Sequence, residues 1–175
     1  MNYATIKPVD IANGPGVRVS LFVSGCRHHC KGCFNAQAWD FEYGEPFTEE
    51  VWQKIFSALD HDYMEGITLL GGEPMEPENQ AGLLPFLKEL KKRFPQKTIW
   101  CFSGYDFEKD ILGHMMKESE VTRELVPLLD VLIDGKFVED LKNLSLKFRG
   151  SENQRILDVA RSLAAGKAVW MEQYR

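Results

Sequence analysis

The chain has 175 residues, 44% of them hydrophobic, and a formal net charge of −5. That supplies a core for one globular domain over residues 1–175. With no stripe of Lys and Arg, it argues against a nucleic-acid-binding surface. No charged leader precedes an apolar stretch and no apolar run approaches membrane-spanning length, so a cytoplasmic protein with no membrane partner is expected.

From the N-terminus, Asp10–Arg18 reads as a turn that caps the fold, with Arg18 placed to face a site. Val17–Ser24 reads as a first strand running directly into Cys26, Cys30 and Cys33. Trp39 and Phe41 follow, as core packing or as a shield and docking pair beside the cysteines. Thr48 is an expected N-cap, with Glu49 and Glu50 in the first turn of a helix reaching Leu59. Gly66–Leu70 forms a second strand and stops at Gly71-Gly72. Glu78–Arg93 reads as a helix that Pro85 should kink or split. Its Lys91, Lys92 and Arg93 suit a solvated helix C-terminus. Lys97–Ser103 is a third strand, with Cys101 inside it as a small hydrophobe. Asp106–Lys117 reads as helical, extending toward Leu125 and closed by Pro127. Leu128–Ile133 is a fourth strand ending at Asp134-Gly135-Lys136, and Gln154–Val159 a short fifth, followed by a helical turn near Ser162–Ala165.

This alternation implies an α/β fold of parallel strands joined by crossovers. The polar and glycine-rich groups fall at strand C-termini, the edge where barrels and open sheets bind ligands. A closed eightfold barrel needs about 250 residues, and this chain suffices for roughly five to six units of an incomplete (β/α) TIM-like barrel. Such a barrel leaves one side open and suits a large substrate.

The cysteines carry most of the chemistry. The spacing C-x3-C-x2-C at Cys26, Cys30 and Cys33 lets one loop hold three irons of a 4Fe-4S cluster and leave the fourth without a protein ligand. The competing reading is a structural zinc site completed by His28 or His29, although no second ligand pair is present. In Gly71-Gly72-Glu73-Pro74, the glycines allow close backbone approach to a ligand and Glu73 offers an acceptor for an amino group.

Together these motifs resemble the radical S-adenosylmethionine (SAM) superfamily, which places C-x3-C-x2-C after its first strand and a Gly-Gly-Glu motif after its second. Within it, the chain is similar to the activating proteins of anaerobic ribonucleoside-triphosphate reductases. The similarity runs through Asp10–Arg18, Ser20–Cys26, Gly32–Asn35, Trp39–Phe41, Leu69–Pro74, Trp100–Tyr105, Asp130–Phe137 and Arg149–Arg155. The family's Asp-Gly-Pro-Gly turn stands here as Asn13-Gly14-Pro15-Gly16, a change that such a turn accepts. No cysteine-rich insert follows the first motif, so one cluster is expected.

The resemblance implies Cys26, Cys30 and Cys33 as cluster ligands. Gly32, Cys33 and Phe34 would lie against SAM, Gly71, Gly72 and Glu73 would hold its methionine end, and Ser103 and Asp134 would contact ribose or amino groups. It also implies that a 5′-deoxyadenosyl radical installs a glycyl radical on the reductase, with reduced flavodoxin as electron donor. Three alternatives remain open here. They are activation of pyruvate formate-lyase or another glycyl-radical enzyme, a small-molecule radical SAM synthase, and a non-enzymatic iron–sulfur or zinc module.

Overall fold

A computed structural model describes residues 1–175 as one seven-stranded sheet of order β3-β1-β2-β4-β5-β6-β7. The strands are β1 (Asn2–Asp10), β2 (Val17–Val23), β3 (Glu45–Pro46), β4 (Met64–Gly71), β5 (Thr98–Phe102), β6 (Val131–Asp134) and β7 (Arg155–Asp158). The inner strands β2, β4, β5 and β6 are mutually parallel. By contrast, β1 runs antiparallel to both β2 and β3, and β7 antiparallel to β6.

The sheet is therefore open and mixed, which corrects the expectation of parallel strands throughout. Asn2–Asp10 is a strand rather than lead-in to a turn. It contains Pro8, which has no N–H for a ladder, and the β1–β2 register shifts between Lys7 and Asp10 around it. The last strand returns through the 135–154 loop without a crossover helix, and so pairs antiparallel.

Side-chain alternation gives the inner strands two distinct faces. Val19, Leu21, Val23, Ile67, Leu69, Ile99, Cys101, Leu132 and Leu157 enter the main core beneath the helices. There α1 (Glu49–Leu59) contributes Ile55, Phe56 and Leu59, and α2 (Pro77–Arg93) contributes Leu83, Phe86, Leu87 and Leu90. The opposite face carries a smaller cluster of Trp100, Val131, Ile133 and Ile156, together with buried polar groups. Among these, Arg18 is fixed by donating to Thr68 Oγ1 (2.9 Å), Thr98 Oγ1 (3.0 Å) and the carbonyls of Ile67 and Thr98, with its guanidinium over Trp100.

Pro85 does not split α2. It lies on the exposed side of the helix, as does Ala81, whose carbonyl loses its partner and is open to water. After β5, Phe107–Met115 is a π-helix leading into α3 (Met116–Glu118). The chain restarts at the Ser119 cap as α4 (Glu120–Leu125), and Pro127 sits in a closing 3-10 turn, so β6 begins only at Val131. The last helix, α5 (Val159–Ala165), begins directly after β7. No helix is long and apolar enough to cross a membrane.

Candidate active site

Because the four inner strands are parallel, their C-terminal ends share one edge. A cleft of about 450 Å³ opens there, lined by Cys26, Cys30, Cys33, Phe34, Gly71, Gly72, Glu73 and Ser103 among others. Gly32 and Asp134, expected with them, do not line it.

Main-chain bonds shape the cysteine loop. Gly25 donates to Ala38 O (2.8 Å) and Cys26 to Trp39 O (3.1 Å), folding the segment back on itself. The Arg27 N–H donates to Glu76 Oε1 (2.8 Å), while its guanidinium bonds Glu76 and Glu78 and lies over the Phe41 ring. His29 adopts a positive φ of 49° and stacks on Trp39, at 4.3 Å between centroids. Gly32, at φ +76°, permits the Cys30–Cys33 turn, closed by the Cys33 N–H on Cys30 O (3.2 Å). Phe34 then projects at the mouth, 95% exposed.

All four cysteines are free. Burial pushes the Cys26 thiol up to about 11, against the opposing effect of the His28 and His29 N–H groups, and burial also raises Cys30. As free thiols they stay protonated near neutral pH, and a metal group must displace those protons to bind. The donor set fits a cluster better than one ion. The set of three ligand atoms that lie within 4.8 Å of one another is that of Asp106, Glu108 and Asp134, and the three sulfurs do not form such a set. Thiolates around a single zinc at about 2.3 Å lie roughly 3.8 Å apart. Both histidines proposed to complete a zinc site are engaged elsewhere, His28 with Glu73 and His29 with Trp39. Cys101 is sealed in the core, where burial raises its thiol far out of the working range.

The glycine loop packs on the cysteine loop. Gly72 donates to Val23 O (2.7 Å) and Glu73 to Gly25 O (2.8 Å). A Cβ at Gly72 would lie 2.6 Å from Gly25 O and 2.9 Å from Ala38 O, so this glycine makes room for backbone. Glu73 is 1% exposed. Its carboxylate accepts from the Met75 N–H (2.8 Å), the Gly104 N–H (2.7 Å) and His28 Nε2 (2.8 Å). Buried Asn79 staples the two loops, its Nδ2 donating to Ser24 O and Glu73 O, both at 2.9 Å. Sequence reasoning missed Asn79 and Glu76. Their only signal was polarity at the start of a helix immediately after the Gly-Gly-Glu motif.

Ser103 donates its N–H to Ile133 O (2.8 Å), and its Oγ accepts from the Tyr105 N–H (3.1 Å). Asp134 is engaged within the scaffold. It accepts from Arg155 Nε (2.9 Å), Arg155 Nη2 (2.5 Å) and the Phe107 N–H (2.8 Å). The Arg155 guanidinium thus sits among the three acidic groups, paired with Glu108 and Asp134 and 3.6 Å from Asp106. Arg18 lies toward the opposite strand ends and does not line the cleft, whereas Trp39 does.

Three free thiols and a glycine loop face one cleft at the carboxyl edge of an open α/β sheet, and the sequence match makes the class an iron–sulfur protein of the single-cluster kind. The family model described as "4Fe-4S single cluster domain" matches residues 12–157. The chain is 44% identical over 158 residues to the anaerobic ribonucleoside-triphosphate reductase-activating protein of Pasteurella multocida (strain Pm70), covering 89% of this chain and 96% of the relative. Identity to the protein of the same name is 42% in Escherichia coli (strain K12), over 88% of this chain and 96% of the relative. In Enterobacteria phage T4 it is 41%, over 89% and 93%. The chain belongs to the family of anaerobic ribonucleoside-triphosphate reductase-activating proteins, with a 4Fe-4S domain.

Proposed function

We propose that this chain is a radical SAM activase that installs a glycyl radical on an anaerobic ribonucleoside-triphosphate reductase. The observation that carries the reading is the convergence of Cys26, Cys30 and Cys33 with Gly71, Gly72 and Glu73 on one cleft. The relatives' shared name supplies the target.

In this reading the three cysteines hold one 4Fe-4S cluster and leave one iron free for SAM. The backbone at Gly71 and Gly72, with Glu73, receives the methionine end of SAM. Phe34 lies along it, Gly32 shapes the turn behind Cys33 without lining the cleft, and Ser103 bounds the cleft floor. Asp134 acts from behind the edge, holding Arg155 and the start of the π-helix. A reduced cluster held by Cys26, Cys30 and Cys33, with SAM beside Gly71, Gly72 and Glu73, would supply the radical chemistry needed to remove a hydrogen atom from a glycine Cα of the reductase. The protein's share is to bind, orient and exclude water. Trp39 walls the cysteine side, and exposed Phe34 meets whatever enters the cleft. The open sheet serves as an incomplete TIM-like barrel whose free side admits a macromolecular substrate. Reduced flavodoxin is the proposed electron donor.

Anaerobic electron paramagnetic resonance tests this. Reconstituted, reduced protein mixed with SAM and the reductase of the same organism should give a glycyl doublet that is lost without SAM or without the reductase glycine. Formation of 5′-deoxyadenosine with no doublet would reject the target. Absence of both, in protein with an intact cluster, would reject the activity.

A further inference from the structure

The carboxylate of Glu73 is already well supplied with donors. An ionised carboxylate offers about four acceptor positions. Met75 N–H takes one on Oε1, and Gly104 N–H and His28 Nε2 take two on Oε2. One position remains, on Oε1. Of the three donors, Met75 and Gly104 act from the main chain. His28 alone uses a side chain, and it alone comes from the loop that carries the cysteines.

That imidazole is held from two further sides. The Tyr105 ring meets it edge-on at 4.5 Å between centroids. A Cβ at Gly104 would come within 2.6 Å of His28 Cδ2, so the absence of a side chain there makes the ring's position available. The imidazole is nearly buried, with its side chain 7% exposed. It therefore joins the loops after β2, β4 and β5 at one point. Since Glu73 accepts, Nε2 carries the hydrogen, and the geometry holds the ring by Glu73 at that nitrogen.

We propose that His28 is a positioning residue for SAM. It locks Glu73 to the cysteine loop, so that the remaining carboxylate position and the cysteines that would hold the cluster stand in a fixed relation around SAM's amino-acid group. This rests on the reading of the cleft as a SAM site.

The test uses reconstituted holoenzyme of wild type, His28→Ala and His28→Gln, with iron content measured for each. SAM is titrated anaerobically into the reduced proteins while the resonance spectrum of the cluster is followed. His28→Ala should keep its iron yet need about 10-fold to 100-fold more SAM for half-maximal change, the span of one charge-assisted hydrogen bond. His28→Gln places an amide N–H near the position of Nε2 and should return to within about threefold of wild type. A His28→Ala protein with wild-type affinity overturns the inference. So does loss of iron in both variants, which would make His28 part of the cluster's support, or a Gln variant no better than Ala. A wild type that shows no response to SAM would instead overturn the reading of the cleft, and the inference with it.

Discussion

Replacing Asp134 by Ala separates scaffold from ligand contact, because sequence reasoning placed this residue at the SAM site and the structure places it behind the edge. The side chain is 1% exposed and accepts three hydrogen bonds, two from Arg155 and one from the Phe107 N–H. Removing one partner of a buried ion pair costs about 3–5 kcal/mol when the other charge is stranded. Here Arg155 keeps Glu108 at 2.7 Å and is 25% exposed, so the pair term falls below that range. The orphaned Phe107 N–H adds about 1–3 kcal/mol. We expect a net loss of about 2–4 kcal/mol, measured as a lower midpoint with unchanged slope in urea unfolding at pH 7. Affinity for SAM in the folded holoenzyme should stay within about threefold, since no acceptor leaves the cleft. A stability loss under about 0.5 kcal/mol together with failure to bind SAM would refute this reasoning and return Asp134 to the ligand.

Cys30→Ala should abolish cluster assembly while leaving most of the fold, read by iron content and circular dichroism; a variant that retains wild-type iron would remove Cys30 from the ligand set. Cys101→Ser should keep its iron but lose about 1–3 kcal/mol, because a hydroxyl is buried where the thiol has only a weak contact with Phe102 O. Gly72→Ala should cost about 1–3 kcal/mol and loosen the cysteine loop, seen as faster amide exchange at Gly25 and Cys26; unchanged exchange would show that the backbone contacts yield freely. For Asp10, burial opposes ionisation, but hydrogen bonds from Ser20, the Ala12 N–H and Asn13 outweigh it and hold the carboxyl below its usual value of 3.8. Its folded pKa lies under its unfolded one, so the stabilisation is complete above the unfolded value and drains away as pH falls through the folded value. Asp10→Asn should flatten that acid limb of the stability curve, and a limb of unchanged depth would assign it to other carboxyls.

What sequence revealed was mostly local. Three cysteines on one short loop stand out by spacing, and Val17–Val23 or Thr98–Phe102 announce strands through alternation. The first strand was hidden because Pro8 and its exposed residues break the pattern, and its pairing depends on a bulge. The antiparallel return of β7 depends on a loop whose path no periodicity records. Pro85 does not split its helix, since a helix proline facing solvent loses a hydrogen bond but no packing. At the site, the unread part consists of pairings distant in sequence. Arg27 with Glu76 and His28 with Glu73 join loops on different strands, and nothing near either residue names its partner. Asp134 illustrates the remaining ambiguity: a strand-end aspartate reads the same whether it serves a ligand or an arginine.

The cofactor edge is stitched largely by main chain: Gly25 to Ala38, Glu73 to Gly25, Gly72 to Val23 and Ser103 to Ile133. A peptide group makes the same bond whatever side chain it bears, so these four bonds ask little of the residues that make them. The edge depends on side-chain identity where Asn79, Glu73 and His28 tie the loops together. What it cannot freely add is bulk, because positions 72 and 104 work through the side chain they do not have.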